Sequence, residues 1–285
     1  MRKKIITVSI VGIMMLVLSS FKHKDLQWFE KEDNEIIGSY CDIENTSFQA
    51  GEEVTYKLYY NWNFVWMSAG EVTFKVNDEG SKYHISVVGK TLPSYEWFYK
   101  VRDKYDTYID KQTLLPTTSI RDIKEGDYKL YDKVTFDQNV KVATSWRGDN
   151  ANETVKRTYK LNDCMHDMVS MIYFSRNINY DQMQTGDKFP VKIFLDKDIY
   201  SLNVKFKGKE KKKHIKESGV YNTIKFSPNI VKSETFKDGS EMNIWVSDDA
   251  NKIPVLIESP LSVGSVKAIL KSYKGLKHPF TAKAN

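Results

Sequence analysis

From Gly51 onward, apolar and polar residues alternate at period two in one short run after another. Val54, Tyr56, Leu58 and Tyr60 begin the pattern; Val72-Phe74-Val76, Tyr83-Ile85-Val87 and Tyr105-Thr107-Ile109 repeat it. It continues in Tyr128-Leu130, Val134-Phe136 and Val140-Val142. Beyond Asn162 it returns in Phe189-Val191-Ile193, Tyr200-Leu202-Val204-Phe206, Met242-Ile244-Val246 and Val266-Ile269. Successive side chains of a strand point to opposite faces, so this alternation predicts strands with one buried face. Turn-forming clusters separate the runs: Asn77–Gly80, Lys124–Asp127, Arg147–Asn150, Lys207-Gly208-Lys209 and Lys237–Ser240. Short alternating strands at such spacing predict a continuous antiparallel meander. Twisted sheets of that many strands curl, close or split. The expected fold is therefore mainly β: a strongly curved antiparallel sheet or partly open β-barrel.

Only one segment has the helical period. Asp163 is placed to cap it, and Met165, Met168, Val169, Ile172 and Tyr173 share one face, which predicts a main helix over about 163–177 packed on the sheet. Arg176 near its end opposes the negative end of the helix dipole. A shorter helical or irregular turn is expected at Ser94–Lys100.

The first twenty residues follow a different rule. Arg2-Lys3-Lys4 precede an apolar run from Ile5 to Leu18, and Ser19-Ser20 follow it. That is the three-part layout of a secretory signal peptide, and the run is short of the roughly 20 apolar residues that cross a membrane. The alternative is an uncleaved anchor. The first cysteine is Cys41, too distant for a lipid-modified N-terminus. The expected organisation is a signal peptide over 1–20, an irregular lead-in over 21–47 and a single β-rich domain over 48–285, with no transmembrane span in the mature chain. Export to the periplasm or envelope of a Gram-negative bacterium is the expected location.

Charge narrows the partners. Residues 1–20 hold three basic and no acidic side chains, so the mature chain carries 40 basic against 37 acidic groups. So mild an excess predicts no nucleic-acid binding. The steepest charge run, Lys205–Lys216, reads either as a contact for anionic lipid or polymer or as the solvated edge of a hairpin turning at Gly208. Cys41 and Cys164 enter an oxidising compartment after export. Pairing them would close a loop of about 120 residues, but two cysteines in a large domain are no disulfide framework, and buried free thiols are the simpler reading.

Two aromatic clusters, Trp62, Phe64 and Trp66 in one connection and Trp97 and Phe98 in another, are candidates for the mouth of an apolar cavity, with Tyr173 of the helix beneath it. Their plainer role is core at the end of the sheet. His166, Asp167 and Ser170 are the residue types of a hydrolytic triad. On a helix, however, residue 167 is turned about 100° away from 166 and 170, so a polar helix surface with Asp167 supporting the first turn is expected. Asp248, Asp249 and Asn251, or Asp149, Asn152 and Glu153, are candidates for a hard cation, although neither has calcium-loop spacing and acidic residues also start turns. Five scattered histidines give no zinc spacing, and there is no glycine-rich phosphate loop. No cofactor, metal or catalytic residue is therefore expected.

In order along the chain, Gly51–Tyr56, Ala69–Val72, Arg102–Asp110, Leu115-Pro116, Asp167–Tyr173 with Arg176, Trp245–Asp249, Ile253–Val255 and Gly264–Val266 resemble the DUF3108 family of exported bacterial proteins of unknown function. The resemblance spans about residues 48–272. It implies an exported, mostly antiparallel β protein and brings no activity. A curved sheet with a helix across it is similar to periplasmic lipid and lipoprotein carriers, an analogy of fold alone. Two functions follow as expectations. One is an envelope protein that holds a lipid or other apolar ligand between sheet and helix. The alternative is a structural or assembly factor working through contacts with other envelope proteins. A hydrolase would need a nucleophile–base pair that the sequence does not display.

Overall fold

The computed structural model describes residue 41 and residues 43–62, 65–97, 99–228, 241–261 and 264–284, with Trp62 and Val65 described by their backbone alone. The expected signal peptide and most of the lead-in lie outside them, as does the turn at Lys237–Ser240.

Eight strands run as a meander: β1 (Glu53–Trp62), β2 (Val65–Glu79), β3 (Lys82–Thr91), β4 (Arg102–Asp110), β5 (Pro116–Glu125), β6 (Tyr128–Asp137), β7 (Val142–Gly148) and β8 (Thr154–Lys160). A second meander holds β9 (Lys188–Leu195), β10 (Asp198–Ile215), β11 (Gly219–Pro228), β12 (Asn243–Ser247), β13 (Pro254–Pro260) and β14 (Ser265–Lys274), with a short β15 (Lys283–Ala284) beside β11. The two meanders join where β14 pairs antiparallel with β1, from Glu53 opposite Lys274 to Asn61 opposite Ser265. The result is one antiparallel sheet in the order β8 to β1, then β14 to β9, which is not closed into a barrel. The predicted β class and curvature are both present.

Alternation explains the faces. Val54, Tyr56 and Leu58 of β1, Val72, Phe74 and Val76 of β2, and Ile85 and Val87 of β3 are all buried in one core shared by both meanders. A smaller cluster forms where the sheet's two ends approach: Val134, Phe136 and Ala143 pack with Leu161, Met165 and Phe194 of β9. A charged clamp reinforces this approach. Arg121 and Arg147 each bridge Asp132 of β6 and Asp196 at the β9–β10 turn, at 2.5 to 3.0 Å. Burial raises the pKa of Asp196, but the two guanidiniums outweigh it and hold the carboxyl below its ordinary value.

The gap between the ends is also spanned by backbone. Gln138 donates to the Met165 carbonyl and accepts from the Met165 amide, at 2.8 and 3.1 Å. On the other side His166 pairs with the outer edge of β9, donating to the Lys192 carbonyl and accepting from the Phe194 amide. This extended run corrects the expected helix. Asp167, not Asp163, is the cap: its carboxylate takes the amides of Val169 and Ser170, and the helix α1 covers only Met168–Ser175. The residues before Asp167 are held outside the helix: His166 pairs with β9, Met165 with Gln138 and Cys164 with Cys41. The expected turn near Ser94 is a single 3-10 turn at Pro93–Tyr95.

Two further expectations change. Cys41 and Cys164 form a disulfide with Cα atoms 5.4 Å apart, which ties the lead-in to the segment before α1. Gly208 is not a hairpin turn but a bulge inside the eighteen-residue β10, where its φ of 102° suits a residue without Cβ. Past Lys205, β10 has β9 no longer beside it, so the basic run is an edge there, with Lys209 bound to Asp181 and Asp248.

Arg176 has left the role of dipole partner. It is buried, and its guanidinium forms a two-pronged pair with Glu52 at 2.5 and 2.8 Å. It also donates to the carbonyls of Ser47 and Asn251, at 3.1 and 2.9 Å. Replacing Arg176 by Met leaves the Glu52 carboxylate buried alone and is expected to cost about 3–5 kcal/mol in urea unfolding, with part recovered in the Glu52→Leu/Arg176→Met double variant. A single-variant loss below about 1 kcal/mol would contradict this role. Replacing both cysteines by Ser frees a span of 123 residues and is expected to cost about 4–5 kcal/mol in the same assay.

Candidate functional site: an apolar cavity beneath the helix

An eight-residue helix is roughly 12 Å long, whereas the eight strands from β2 to β9, roughly 4.8 Å apart, span roughly 34 Å along the sheet. Packed against β4 and β9, α1 cannot fill the whole concavity. The space it leaves is a cavity of about 150 Å³, bounded by α1 and by β1, β2 and β9–β13. Met168, Met171, Ile172 and Tyr173 form its helical wall. Val54, Tyr56 and Phe74 stand opposite on β1 and β2, and Leu202, Val204, Ile244 and Ile257 line the second meander. Phe189 and Phe226, with Tyr180 4.5 Å from the latter ring, form its aromatic part. An enclosed void of this size with apolar walls takes benzene-sized guests; this one is only partly enclosed.

Polar groups on the wall are few. The Tyr180 hydroxyl donates to the Ser175 carbonyl, and the Arg176 guanidinium is occupied as described. Tyr173 packs edge-on against Phe48 at 4.8 Å and under Arg176 at 5.2 Å. Burial pushes its phenol well above the usual pKa, so it stays neutral. Lys252, in the turn between β12 and β13, is the remaining cationic side chain on the wall.

Of the six residues expected to bind a ligand, Tyr173 lies on this wall. Trp66 is 40% exposed with the Lys267 ammonium 4.4 Å above its ring, and Trp97 is 83% exposed and donates to the Ser94 carbonyl. Neither reaches the cavity. Phe64, Phe98 and the Trp62 side chain lie outside the described residues. The sequence reading missed Met171, Phe189, Phe226 and Lys252. Phe189 follows ordinary strand alternation, Met171 lies outside the expected apolar helix face, Phe226 lies on a strand apolar on both faces, and nothing local marks Lys252.

His166, Asp167 and Ser170 are buried rather than a polar helix surface. Ser170 lies 3.2 Å from His166 Nδ1, but Asp167 Oδ1 is spent on the amides of Val169 and Ser170 and on the Thr107 hydroxyl. The aspartate therefore supports the first turn, as expected, and does not orient the histidine. The two acidic candidates for cations serve turns. Asp249 accepts from the amides of Asn251, Lys252, Thr281 and Ala282, and Asn150 bonds Glu153 and the Asn152 amide. Among the described residues, the cluster of metal-ligand types is Cys41, Asp163 and Cys164, and its two sulfurs are joined to each other.

Fold and cavity together define a curled, barrel-like antiparallel β protein wrapped round one helix. The chain belongs to DUF3108, a family of proteins of unknown function, whose profile matches residues 55–271. It shares its fold with a β-barrel-like protein of the DUF1849 domain of unknown function from Brucella abortus, at a TM-score of 0.52 and 9% identity over 80% of this chain and 99% of that one. A Bacteroides fragilis protein with a YmcC-like fold matches over 82% of this chain and 100% of that one, but at 12% identity and a TM-score of only 0.27. No curated protein matches. Among the described residues, no helix is long and apolar enough to cross a membrane.

Burial lowers the His166 pKa to about 3. The unfolded chain binds this proton below about 6.5 and the folded one only near 3, so the native state is disfavoured as pH falls through that window. Unfolding at pH 7, 5 and 4 is expected to show an acid loss from this group of roughly 1.4 kcal/mol per pH unit at most, and His166→Gln is expected to flatten it. Burial raises the Asp167 pKa and acts with the opposite sign, which moderates the slope. An identical acid limb in the variant would refute the assignment.

Proposed function

We propose that this is an exported envelope protein that holds an apolar or amphipathic ligand in the cavity between α1 and the second meander. The observation that carries the reading is the cavity itself: about 150 Å³ with almost wholly apolar walls, left beside a helix too short to fill the curl. Ligand sites favour such concave, mostly apolar places. Its volume suits a ring or a length of single acyl chain better than the paired chains of a phospholipid. Export is supported by the layout of residues 1–20, and the Cys41–Cys164 bond suits an oxidising compartment such as the periplasm. Recognition of envelope proteins through sheet edges has less support, because the outer strand β8 carries Lys156, Arg157 and Lys160, which discourage edge pairing.

The neutral fluorophore N-phenyl-1-naphthylamine is expected to bind the purified protein saturably. Ile172→Trp, which fills the cavity, is expected to weaken that binding at least about tenfold while the protein stays folded by circular dichroism. Absence of saturable binding to the wild type, together with native mass spectra of protein from its host envelope showing no bound small molecule, would overturn the reading. Enrichment of a defined envelope partner by crosslinking would then favour the assembly role.

A further inference from the structure

Among the described lysines, Lys252 is the one that lines this apolar cavity. The turn that presents it is held on every side. Asp249 binds the amides of Asn251 and Lys252, Ser247 accepts from the Ile253 amide at 3.0 Å, and Asn251 exchanges hydrogen bonds with the His278 and Pro279 backbone. The Asn251 carbonyl accepts from Arg176, which ties this turn to the end of α1. Lys252 itself sits at a φ of 47°, so its side chain leaves a fixed backbone in a fixed direction.

The surrounding carboxylates have other partners. Asp181 and Asp248 hold Lys209 at 2.9 and 3.0 Å, Asp249 is spent on backbone amides, and Glu52 is spent on Arg176. Among the described residues, no carboxylate forms an ion pair with the Lys252 ammonium. Burial lowers the Lys252 pKa, with Asp181 opposing, so the charged form lacks compensation that an incoming anion would supply. Arg176, on the same wall, has its charge paired with Glu52 and four of its five N–H groups spent on Glu52, Ser47 and Asn251.

We infer that the ligand is a single-chain amphiphile with an anionic head, its alkyl chain lying in the cavity against Met171, Ile172 and Phe226 and its head paired with the Lys252 ammonium. This rests on the proposed cavity function and adds charge selectivity to it. A neutral or cationic head of the same chain length gains nothing from the lysine.

The test compares three probes of equal chain length below their micellar concentrations at pH 8: dodecanoate, dodecanol and dodecyltrimethylammonium, each displacing N-phenyl-1-naphthylamine. The wild type is expected to bind dodecanoate about tenfold more tightly than dodecanol, and the cationic probe most weakly. Lys252→Gln is expected to lose the preference for dodecanoate over dodecanol, and Lys252→Arg to keep it. Equal affinity of wild type for dodecanoate and dodecanol overturns the inference while leaving an apolar site in place. A preference that survives in Lys252→Gln, or stronger binding of the cationic probe, also overturns it. Failure of all three probes and of the fluorophore overturns this inference, and together with native mass spectra showing no bound small molecule it overturns the cavity function itself. The wild-type comparison decides the matter even if the Gln variant does not fold.

Discussion

The buried pair of Arg176 and Glu52 is the constraint on which the arrangement depends. A guanidinium and a carboxylate taken out of water each lose several kcal/mol of solvation, and only a two-pronged contact with further hydrogen bonds offsets that loss. Here the further bonds go to the carbonyls of Ser47 and Asn251. Four parts of the chain are thereby committed to one point: the lead-in, the start of β1, the end of α1 and the turn between β12 and β13. That point lies near the seam where β1 meets β14, the strand pairing that joins the two meanders. The position of α1, and hence the space it leaves, follows from where this pair holds its last turn.

The other end of α1 is held differently. Its cap residue Asp167 is bound to Thr107 of β4, while the extended residues before it pair with β9 and with Gln138. The disulfide to Cys41 and the clamp of Arg121, Arg147, Asp132 and Asp196 act in the same region. Closure of the curl is thus made by side chains, a cystine and a short run of backbone rather than by a β8–β9 ladder. Sheet curvature is set at its middle by strand pairing and at its ends by these contacts. The cavity lies on the β9–β13 side because α1 is drawn toward β4 and β9 at its start and toward Glu52 at its end.

A cavity with so few polar groups has little means of choosing among apolar guests by hydrogen bonding. Shape and the charge at its wall are then the available discriminants. Arg176 is paired with Glu52, which leaves Lys252 as the cation on the wall without a carboxylate partner among the described residues. The triad-type and acidic residues singled out in the sequence serve the fold here: Asp167 caps a helix, Asp249 closes a turn, and burial lowers the His166 pKa.

Much of this was legible in the sequence because strand alternation is a local signal. The buried apolar residues of β3 and β6 follow period two, as do most of those in β1, β2, β4, β9 and β10, and the need to curl follows from the number of strands. Strands β5, β8, β11 and β13 were harder to read, since β8 is almost wholly exposed and β11 carries apolar residues on both faces. Turn chemistry misled at Gly208, because a glycine with positive φ serves a bulge as readily as a hairpin. Helix periodicity misled before Asp167, because pairing with β9 overrode it. The cavity, the cystine, the Arg176–Glu52 pair and the placement of Lys252 were decided by tertiary structure alone. Each joins residues more than about seventy positions apart in the chain, and no local pattern of polarity records which distant groups a curved sheet will bring together. The sequence by itself determined which faces of the strands are buried and that the sheet must bend; the fold decided what the bend encloses.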